Sequence, residues 1–287
     1  MQRVSPVSIH KVSSVQETRQ TVDLLAVEEP LEIRLGYGAT NDRQQRSISV
    51  TMRTPGNDFE LALGFLFTEN VIQDLIQVHT IRYCTDLGRQ EATENIIRVE
   101  LNPGVAVNLS TTERNFYTTS SCGVCGKASI NAIRTTACPV LPPARPLIDD
   151  DLIHTLPGKL REAQAVFEHT GGLHAAALFD SLGRLLLLRE DVGRHNALDK
   201  VIGAGLQAGL LPLSDSLVFL SGRISFELVQ KALVAGVPLV AAVGAPSSLA
   251  VQMADEFGMT LLGFVRNNSF NIYTAANRIL VPEMPLV

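Results

Sequence analysis

The chain has 287 residues, of which 46% are hydrophobic and 18% charged, and its formal net charge is −5. This composition excludes a disordered chain and allows a buried core large enough for two domains. The acidic balance argues against a nucleic-acid-binding protein, because neutralising phosphates requires a basic surface. The chain shows no apolar run long enough to span a membrane and no signal-peptide core, so we expect a cytoplasmic protein that binds neither nucleic acid nor membrane.

The first part of the chain, residues 1–138, is expected to form a β-rich domain. Alternating apolar and polar residues predict strands over 21–26, 31–36, 47–52, 78–84, 96–101 and 114–119. A helix is predicted over 59–68, with Asn57 or Asp58 as its N-cap. A short helix is also expected over 127–134, after a loop that contains two cysteines.

A proline-rich stretch, residues 139–146, is the predicted linker to a second domain over 147–287. Beyond it, strands alternate with helices of about ten residues, a pattern typical of an α/β layer with mainly parallel strands. The predicted strands cover 173–179, 185–188, 216–220, 239–243 and 260–265. The predicted helices cover 147–167, with a break at Pro157-Gly158, and 195–210, 225–235 and 247–257.

The segment 121–126 reads Ser-Cys-Gly-Val-Cys-Gly and places Cys122 and Cys125 three residues apart. A helix start near Lys127 would favour the thiolate, which attacks a persulfide donor and holds the transferred sulfur. We therefore predict a persulfide carrier, chiefly on Cys122. A zinc site, a thioredoxin-like dithiol and an inert pair are the alternatives; zinc needs four ligands, and this pair supplies two. Cys84 and Cys138 are expected to be inert.

His174 lies in the segment 171–177, which reads Gly-Gly-Leu-His-Ala-Ala-Ala. Zinc nucleobase deaminases combine a His-x-Glu with a later Pro-Cys-x-x-Cys, and the glutamate acts as general acid and base. Here Ala176 stands in the place of that glutamate, the cysteine pair lacks the proline, and the two motifs occur in the reverse order. The sequence therefore argues against deamination. It leaves His174 either as a hydrogen-bonded core histidine or as an active-site residue.

Three polar turns each join a predicted strand to a predicted helix, where backbone N–H groups can bind anions. They cover residues 190–200, 221–225 and 244–248. Arg194 and His195 stand in a first helical turn, against the helix dipole, and binding of an anionic group would explain them. Arg223 adds a guanidinium two residues after Ser221. Ordinary helix capping, for example by Asp191, is the alternative for each turn.

A fourth polar segment follows the predicted strand 260–265 and offers one cation and two amides where the sheet ends. Its residues are Phe264, Val265, Arg266, Asn267, Asn268 and Ser269. Ligands of open α/β sheets bind outside the carboxyl ends of the strands. The four segments together predict a phosphate-rich ligand at that edge, with a simple surface turn as the alternative for the fourth.

These motifs together resemble the formate dehydrogenase accessory protein family (FdhD). The resemblance rests on the cysteine motif at 121–126, on Glu-Asp-Val-Gly-Arg-His-Asn-Ala-Leu-Asp-Lys at 190–200, on Ser-Gly-Arg at 221–223, and on the segment 264–269 before Tyr273-Thr274. It implies a cytidine-deaminase-like α/β fold that has lost the deaminase site. It also implies a sulfurtransferase that takes persulfide sulfur from a cysteine desulfurase. The sulfur would go to the molybdenum or tungsten bis-guanine dinucleotide cofactor, bound as acceptor substrate and destined for formate dehydrogenase.

By position in the family pattern, Cys122 would carry the persulfide and Cys125 would assist it. The cofactor site predicted from the motifs consists of residues 264–269 together with His174, Arg194, His195, Ser221 and Arg223. No metal of its own is expected, and the resemblance suggests a homodimer. Two other functions stay open: a non-catalytic carrier or chaperone of the cofactor, and a zinc-dependent hydrolase of nucleotides.

Overall fold

Residues 2–14, 18–84, 94–107 and 138–281 are described by a computed structural model of the chain. Cys122, Cys125, the predicted strand 114–119 and the predicted helix 127–134 lie outside these ranges. The predictions made for them therefore remain predictions.

The N-terminal part forms an antiparallel ribbon and a separate sheet. The ribbon pairs β1 (Val4–Lys11) with β2 (Arg19–Ala26). The strands of the sheet are β3 (Glu29–Ala39), β4 (Asp42–Arg53), β5 (Val78–Tyr83) and β6 (Ile96–Leu101). They lie in the order β4-β3-β6-β5, and helix α1 (Asp58–Thr68) packs on their apolar side. The strands predicted in these ranges are confirmed, whereas β1 was not predicted.

The start of α1 differs from the prediction in its capping. Asn57 occupies the N-cap position in a left-handed conformation, with φ of 59°, and its side chain makes no capping bond. Asp58 instead pairs with Arg53, whose Nη2 lies 3.0 Å from Asp58 Oδ2, and neither side chain is exposed. The acidic residue thus serves a buried ion pair between β4 and α1.

A larger sheet forms the centre of the second part of the chain. Its described strands are β8 (His174–Asp180), β9 (Leu185–Asp191), β10 (Ser216–Leu220), β11 (Leu239–Ala242), β12 (Thr260–Arg266) and β13 (Ser269–Thr274). They lie in the order β13-β12-β11-β10-β8-β9. A further short parallel pair consists of β7 (Ile148–Asp149) and β14 (Ile279–Leu280).

The prediction of mainly parallel strands is wrong for this central sheet. Only the β10–β11 and β11–β12 pairs are parallel, and the other three pairs are antiparallel. The β8–β9 and β12–β13 pairs are hairpins, and a short turn can join only antiparallel neighbours. The sheet is mixed, and a cytidine-deaminase-like layer remains a prediction from the resemblance.

Helices cover both faces of the central sheet. They are α2 (Asp150–Ala163), α3 (Ala165–Thr170), α4 (Arg194–Gln207), α5 (Phe226–Val234) and α6 (Ser248–Glu256). Helices α4, α5 and α6 pack on one face and α2 on the other, so two apolar layers enclose the strands. No helix of the described residues is long and apolar enough to cross a membrane.

Two predictions about local structure are wrong in this part. Helix α2 continues through Pro157, and the interruption falls at Gln164. Proline removes one helical hydrogen bond, but the buried stripe of Ile153, Leu156 and Leu160 holds both sides of it against the sheet. Residues 264–269, expected as a loop after the last strand, instead form the hairpin that joins β12 to β13.

Close contact between α1 and α4 joins the two parts of the chain. A Cβ at Gly64 would collide with the backbone carbonyl of Asp199, and one at Gly203 would collide with that of Glu60. Only glycine allows the two helix backbones to approach this closely. The proposed boundary at residues 139–146 remains a prediction, and this contact holds the flanking layers together.

Candidate functional site

The polar residues singled out in the sequence gather at one edge of the central sheet. At this edge β9, β10, β11 and β12 end, and β8 begins. His174 at the start of β8 is paired with Asp191 at the end of β9, and Ser221 directly follows β10. Arg194 and His195 begin α4, and the hairpin 264–269 lies at the end of β12. The sequence prediction of a shared edge agrees with this placement.

Ser221 and His174 form the floor of this edge. Ser221 Oγ accepts a hydrogen bond from the backbone N–H of Ala175 at 2.8 Å, and its own N–H donates to the Ala175 carbonyl at 3.0 Å. A Cβ at Gly222 would lie 3.1 Å from Nδ1 of His174, so glycine leaves room for the imidazole. Burial lowers the pKa of His174, and the nearby charge of Arg194 lowers it further. His174 is therefore neutral at neutral pH and available as a hydrogen-bonding group.

His195 contacts two residues at the start of α5. Its Nε2 lies 3.1 Å from Ser225 Oγ and 3.8 Å from Glu227 Oε2. The adjacent imidazole of His195, together with hydrogen bonds from Ser225 and from the backbone N–H of Glu227 itself, lowers the pKa of Glu227 to about 2. Glu227 was missed by the sequence analysis. Its position in the first turn after the Ser-Gly-Arg turn was the available signal.

The three helix starts are not equivalent. The N-caps of α4 and α5 are Gly193 and Ser225, and neither makes a side-chain capping bond. At α6, by contrast, Ser247 Oγ accepts from the N–H of Ala250 at 3.3 Å, which confirms ordinary capping. The α4 start therefore retains backbone donors for an anion, while the α6 start is capped by Ser247 and the α5 start is occupied by the carboxylate of Glu227, which accepts from its own backbone N–H.

The turns after β10 and β11 pack directly against each other. A Cβ at Gly244 would lie 2.8 Å from the carbonyl oxygen of Gly222 and 2.9 Å from Cα of Arg223. The N–H of Gly244 donates to the Gly222 carbonyl at 3.1 Å, and the N–H of Phe264 donates to the Gly244 carbonyl at 3.1 Å. This contact holds the two turns and the hairpin in one rigid edge and leaves the side chain of Arg223 exposed.

The hairpin 264–269 is only partly available to a ligand. Phe264 has a φ of 54° and a side chain that is 44% exposed, whereas Val265 is fully buried. Arg266 donates from Nη1 to the carbonyls of Val243 at 2.6 Å and Val265 at 2.9 Å. Asn267 and Asn268 form the exposed turn. Arg266 thus ties the hairpin to the end of β11 in addition to offering charge.

Most of the polar run 190–200 serves packing. Lys200 Nζ lies 2.7 Å from Asp191 Oδ2 and donates to the carbonyl of Thr54 at 2.9 Å. Asn196 donates to the carbonyl of Met52 at 2.8 Å. Burial lowers the pKa of Lys200, and the carboxylate of Asp191 opposes that shift. The run therefore fixes the end of β4 against the central sheet. Asp191 does not occupy the N-cap position of α4, so the alternative stated for it in the sequence is wrong.

Asp199, a further acidic residue of this run, also has structural partners. Asp199 lies 3.0 Å from Nζ of Lys231 and accepts from Oγ1 of Thr68 at 2.9 Å. Burial alone would lower the pKa of Lys231, but the carboxylates of Asp199 and Glu69 outweigh it and raise the pKa. From this run, Arg194 and His195 are the two side chains that turn toward the edge.

A cleft of about 490 Å³ opens beside this edge, on the face covered by α2 and α3. Its lining includes Arg161, Gln164, Phe167, His174 and Ser221. The guanidinium of Arg161 lies 4.4 Å from the ring centroid of Phe167, a cation–π contact. Arg161, Gln164 and Phe167 were not predicted as lining residues, because their place in the cleft depends on how α2 and α3 pack beside the start of β8, which no local pattern specifies.

The described ranges contain no candidate metal site. No group of three or more His, Cys, Asp or Glu side chains there is placed to hold a metal ion. The two cysteines of these ranges, Cys84 and Cys138, are free and half-buried, and burial raises the pKa of Cys138. A raised pKa keeps that thiol protonated and unreactive, in agreement with the prediction for Cys138.

The fold and this edge define a class of protein: a mixed α/β protein in which a neutral histidine, two arginines and the uncapped start of α4 converge on one polar edge of the central sheet. A family model described as the FdhD/NarQ family matches residues 26–280, and the chain belongs to that family. The resemblance seen in the sequence motifs is thereby confirmed.

Curated relatives match along most of the chain. A "Sulfur carrier protein FdhD" of Streptomyces avermitilis is 51% identical, covering 90% of this chain and 89% of the relative. Proteins of the same description from Mycobacterium tuberculosis and Sulfolobus acidocaldarius are 48% and 42% identical, covering 96% and 94% of this chain and 97% of each relative.

A solved structure from Desulfotalea psychrophila, described as that of a formate dehydrogenase accessory protein, has the same fold. Its TM-score to this chain is 0.72 at 22% identity, covering 97% of this chain and all of that one. At this identity the similarity supports the mixed α/β architecture and nothing finer.

Proposed function

We propose that this protein is a sulfurtransferase that carries sulfur as a persulfide on Cys122. The Cys122 thiolate attacks the terminal sulfur of a cysteine desulfurase persulfide. A new S–S bond forms on Cys122, the S–S bond of the donor breaks, and the desulfurase thiolate leaves. The S–S bond on Cys122 then breaks and Cys122 leaves as the thiolate. The terminal sulfur passes as sulfane sulfur to a molybdenum or tungsten bis-guanine dinucleotide cofactor, bound as substrate and destined for formate dehydrogenase, and the reduced metal of that substrate would supply the two electrons that turn the sulfur into a sulfide ligand.

The observation that carries this proposal is membership of the FdhD/NarQ family, whose curated members quoted above are described as sulfur carriers at up to 51% identity. The pair Cys122 and Cys125 supplies the two thiols that such a role needs. A reducing cytoplasm would keep such a cysteine pair in the thiol form. A homodimer would suit a substrate that has two nucleotide arms.

The edge of the central sheet supports the choice of acceptor. The uncapped start of α4 offers backbone donors to phosphates, and Arg194 and Arg223 add positive charge. A ligand with several phosphates uses more of these groups than a small metabolite can. Arg194, Arg223 and the helix start are remote in sequence from the cysteine pair. They therefore support the choice of acceptor independently of the sulfur chemistry.

Intact-protein mass after incubation with a cysteine desulfurase and cysteine tests the sulfur step. We expect a gain of one sulfur, roughly 32 Da, that a reductant removes and that is absent in Cys122→Ala. Cys138→Ala is the matched control, because that thiol is half-buried and packs against the core. A wild-type protein that stays unmodified beside a competent desulfurase would contradict the proposal.

A second candidate is a non-catalytic carrier or chaperone of the same cofactor. It is favoured by the anion-binding groups of the edge, none of which depends on a cysteine. In this case Cys122→Ala would leave formate dehydrogenase maturation intact, and Arg223→Ala would impair it. The sulfurtransferase proposal expects both substitutions to impair maturation.

A further inference from the structure

The ribbon of β1 and β2 keeps large apolar side chains exposed. Val7 is 38% exposed, Leu25 45% and Val22 62%. Among the described residues the ribbon pairs with no third strand. A two-stranded ribbon is at best marginally stable in water by itself, and exposed apolar side chains on a free strand pair favour contact with another chain. The ribbon therefore offers a surface for a partner.

Two cations meet at the tip of this ribbon. Lys11 lies directly opposite Arg19 in the antiparallel register, so both side chains are on one face. Both are exposed, and neither forms an ion pair with a residue in the described ranges. Like charges in directly opposite positions destabilise a strand pair. Carboxylates from a partner would remove this repulsion, so the tip favours an acidic group.

The face that carries Lys11 continues into an apolar cleft toward the base of the ribbon. Side chains alternate along a strand, so Val7 shares this face, and so does Leu25, the partner of Ser5. The cleft has a volume of about 510 Å³, and its lining includes Val7, Leu25, Val27, Glu28, Glu29 and Pro55.

The charges of this face are separated along its length. The cations Lys11 and Arg19 lie at the tip, whereas the carboxylates of Glu28 and Glu29 lie at the base. A lipid surface or a nucleic acid is anionic throughout and would be repelled at the base. An extended protein segment, with an apolar middle and acidic residues at the end toward the tip, fits the whole face.

The base of the ribbon adjoins the polar edge of the central sheet. A Cβ at Gly172 would lie 3.9 Å from Cβ of Ala26 in β2. Gly172 also lines the cleft of about 490 Å³ that contains His174 and Ser221. A partner on the ribbon would therefore lie beside the acceptor substrate proposed for that edge. This position favours the protein that receives the finished acceptor over the protein that donates sulfur.

We propose that the β1–β2 ribbon is the docking surface for formate dehydrogenase that still lacks its cofactor. An extended segment of that protein fills the apolar cleft at Val7 and Leu25, and its carboxylates pair with Lys11 and Arg19. The inference rests on the proposed function, because it takes formate dehydrogenase as the destination of the acceptor. It adds the surface at which the two proteins meet and the chemistry that the partner segment must have.

Binding of cofactor-free formate dehydrogenase to the full-length protein, measured by surface plasmon resonance, tests this inference. Leu25→Ser should weaken binding at least about tenfold, because it removes an apolar side chain that the partner buries. Arg19→Glu should weaken binding about tenfold at low salt and less at high salt, because salt screens exposed charges. The matched controls are Leu186→Ser, at a leucine of β9 that is 44% exposed, and Arg82→Glu, at an exposed arginine of β5; both should bind as the wild type does.

Two further readouts separate docking from folding and from the sulfur step. Arg19→Glu replaces a repulsion of Lys11 with an attraction, so its thermal unfolding midpoint should equal or exceed that of the wild type. Loading of Cys122 with persulfide by the desulfurase should be the same in Arg19→Glu, Leu25→Ser and the wild type, because the sulfur donor does not use the ribbon.

Four results would overturn the docking role of the ribbon. The first two are no binding of cofactor-free formate dehydrogenase to the wild type, and unchanged binding in both ribbon variants. The third is slower persulfide loading in the ribbon variants alone, which would assign the ribbon to the sulfur donor. The fourth is a change from dimer to monomer in light scattering of Leu25→Ser, which would assign it to a second copy of the chain. Failure of the wild type to load sulfur would instead contradict the proposed function.

Discussion

Lys200 Nζ lies 2.7 Å from Asp191 Oδ2, and neither side chain is exposed to solvent. The pair connects the end of β9 with α4, and through Thr54 it connects both with β4. Residues of the run 190–200, which the sequence predicts as an anion-binding turn, therefore connect the two sheets.

Lys200→Met should lower the free energy of unfolding by about 3–5 kcal/mol, because it leaves the buried carboxylate of Asp191 without its charge partner. Urea denaturation measures the change. The double variant Lys200→Met with Asp191→Leu should recover part of the loss, since it removes the unpaired charge. Equal stability of the single variant and the wild type would show that the pair contributes little.

Gly203→Ala should destabilise the protein by about 1–3 kcal/mol or more, because the added methyl meets the backbone of α1 at Glu60. Gly158→Ala is the matched control: that glycine also lies in a helix, and nothing stands within 4 Å of the added Cβ. There alanine should stabilise the helix by about 0.5–1 kcal/mol. The same sign of change at both positions would contradict the close packing of α1 and α4.

Arg194→Ala should raise the pKa of His174, because the guanidinium disfavours protonation of the imidazole. Nuclear magnetic resonance titration of the His174 ring protons measures this pKa directly. Arg223→Ala is the control, since Arg223 does not contribute to the shift of His174. An unchanged titration in Arg194→Ala would show that the guanidinium does not contribute to the lowered pKa of His174.

The lowered pKa of His174 also makes the free energy of unfolding depend on pH. A histidine whose pKa is lowered in the folded state binds protons more readily when unfolded. The stabilising contribution of neutral His174 is therefore complete above its unfolded value of 6.5 and is lost as the pH falls below that value. His174→Gln should flatten the fall of the unfolding free energy in this range. If the unfolding free energy of His174→Gln falls with pH as steeply as that of the wild type, His174 does not contribute to this pH dependence.

Glu227→Gln should flatten the acid side of the stability profile. The pKa of Glu227 is lowered from 4.5 to about 2, so its contribution is present above 4.5 and is lost as the pH falls toward about 2. We expect a small effect, because the side chain is 57% exposed and solvent screens its interaction with His195. Unfolding curves at several pH values check it, with Glu162→Gln on the exposed side of α2 as control.

Local patterns in the sequence were sufficient for the elements that depend on neighbouring residues. Apolar spacing located α4, α5 and α6 to within a few residues. The turns that follow β10 and β11 were also visible, and they do meet at one edge, because parallel neighbours end on the same side of a sheet.

Strand pairing and side-chain contacts between residues distant in sequence could not be predicted from local patterns. The antiparallel neighbours of the central sheet depend on which strands meet after hairpins form, and Pro157 is tolerated only because α2 is held against that sheet. The roles of Lys231 and Thr68 are another case, since these residues are 163 positions apart. No local pattern specifies such a partner.

The sequence by itself determined the family, the cysteine motif and the positions of most helices and strands, because these depend on residue identity and short-range periodicity. Only the tertiary structure decided which polar residues serve binding and which serve packing. Asp191, Asp199 and Lys200 are buried against partners from other elements, while Arg194 and His195 from the same run face the edge. This division follows from what surrounds each side chain, because a hydrogen bond or an ion pair depends on atoms that folding brings within about 3 Å of one another.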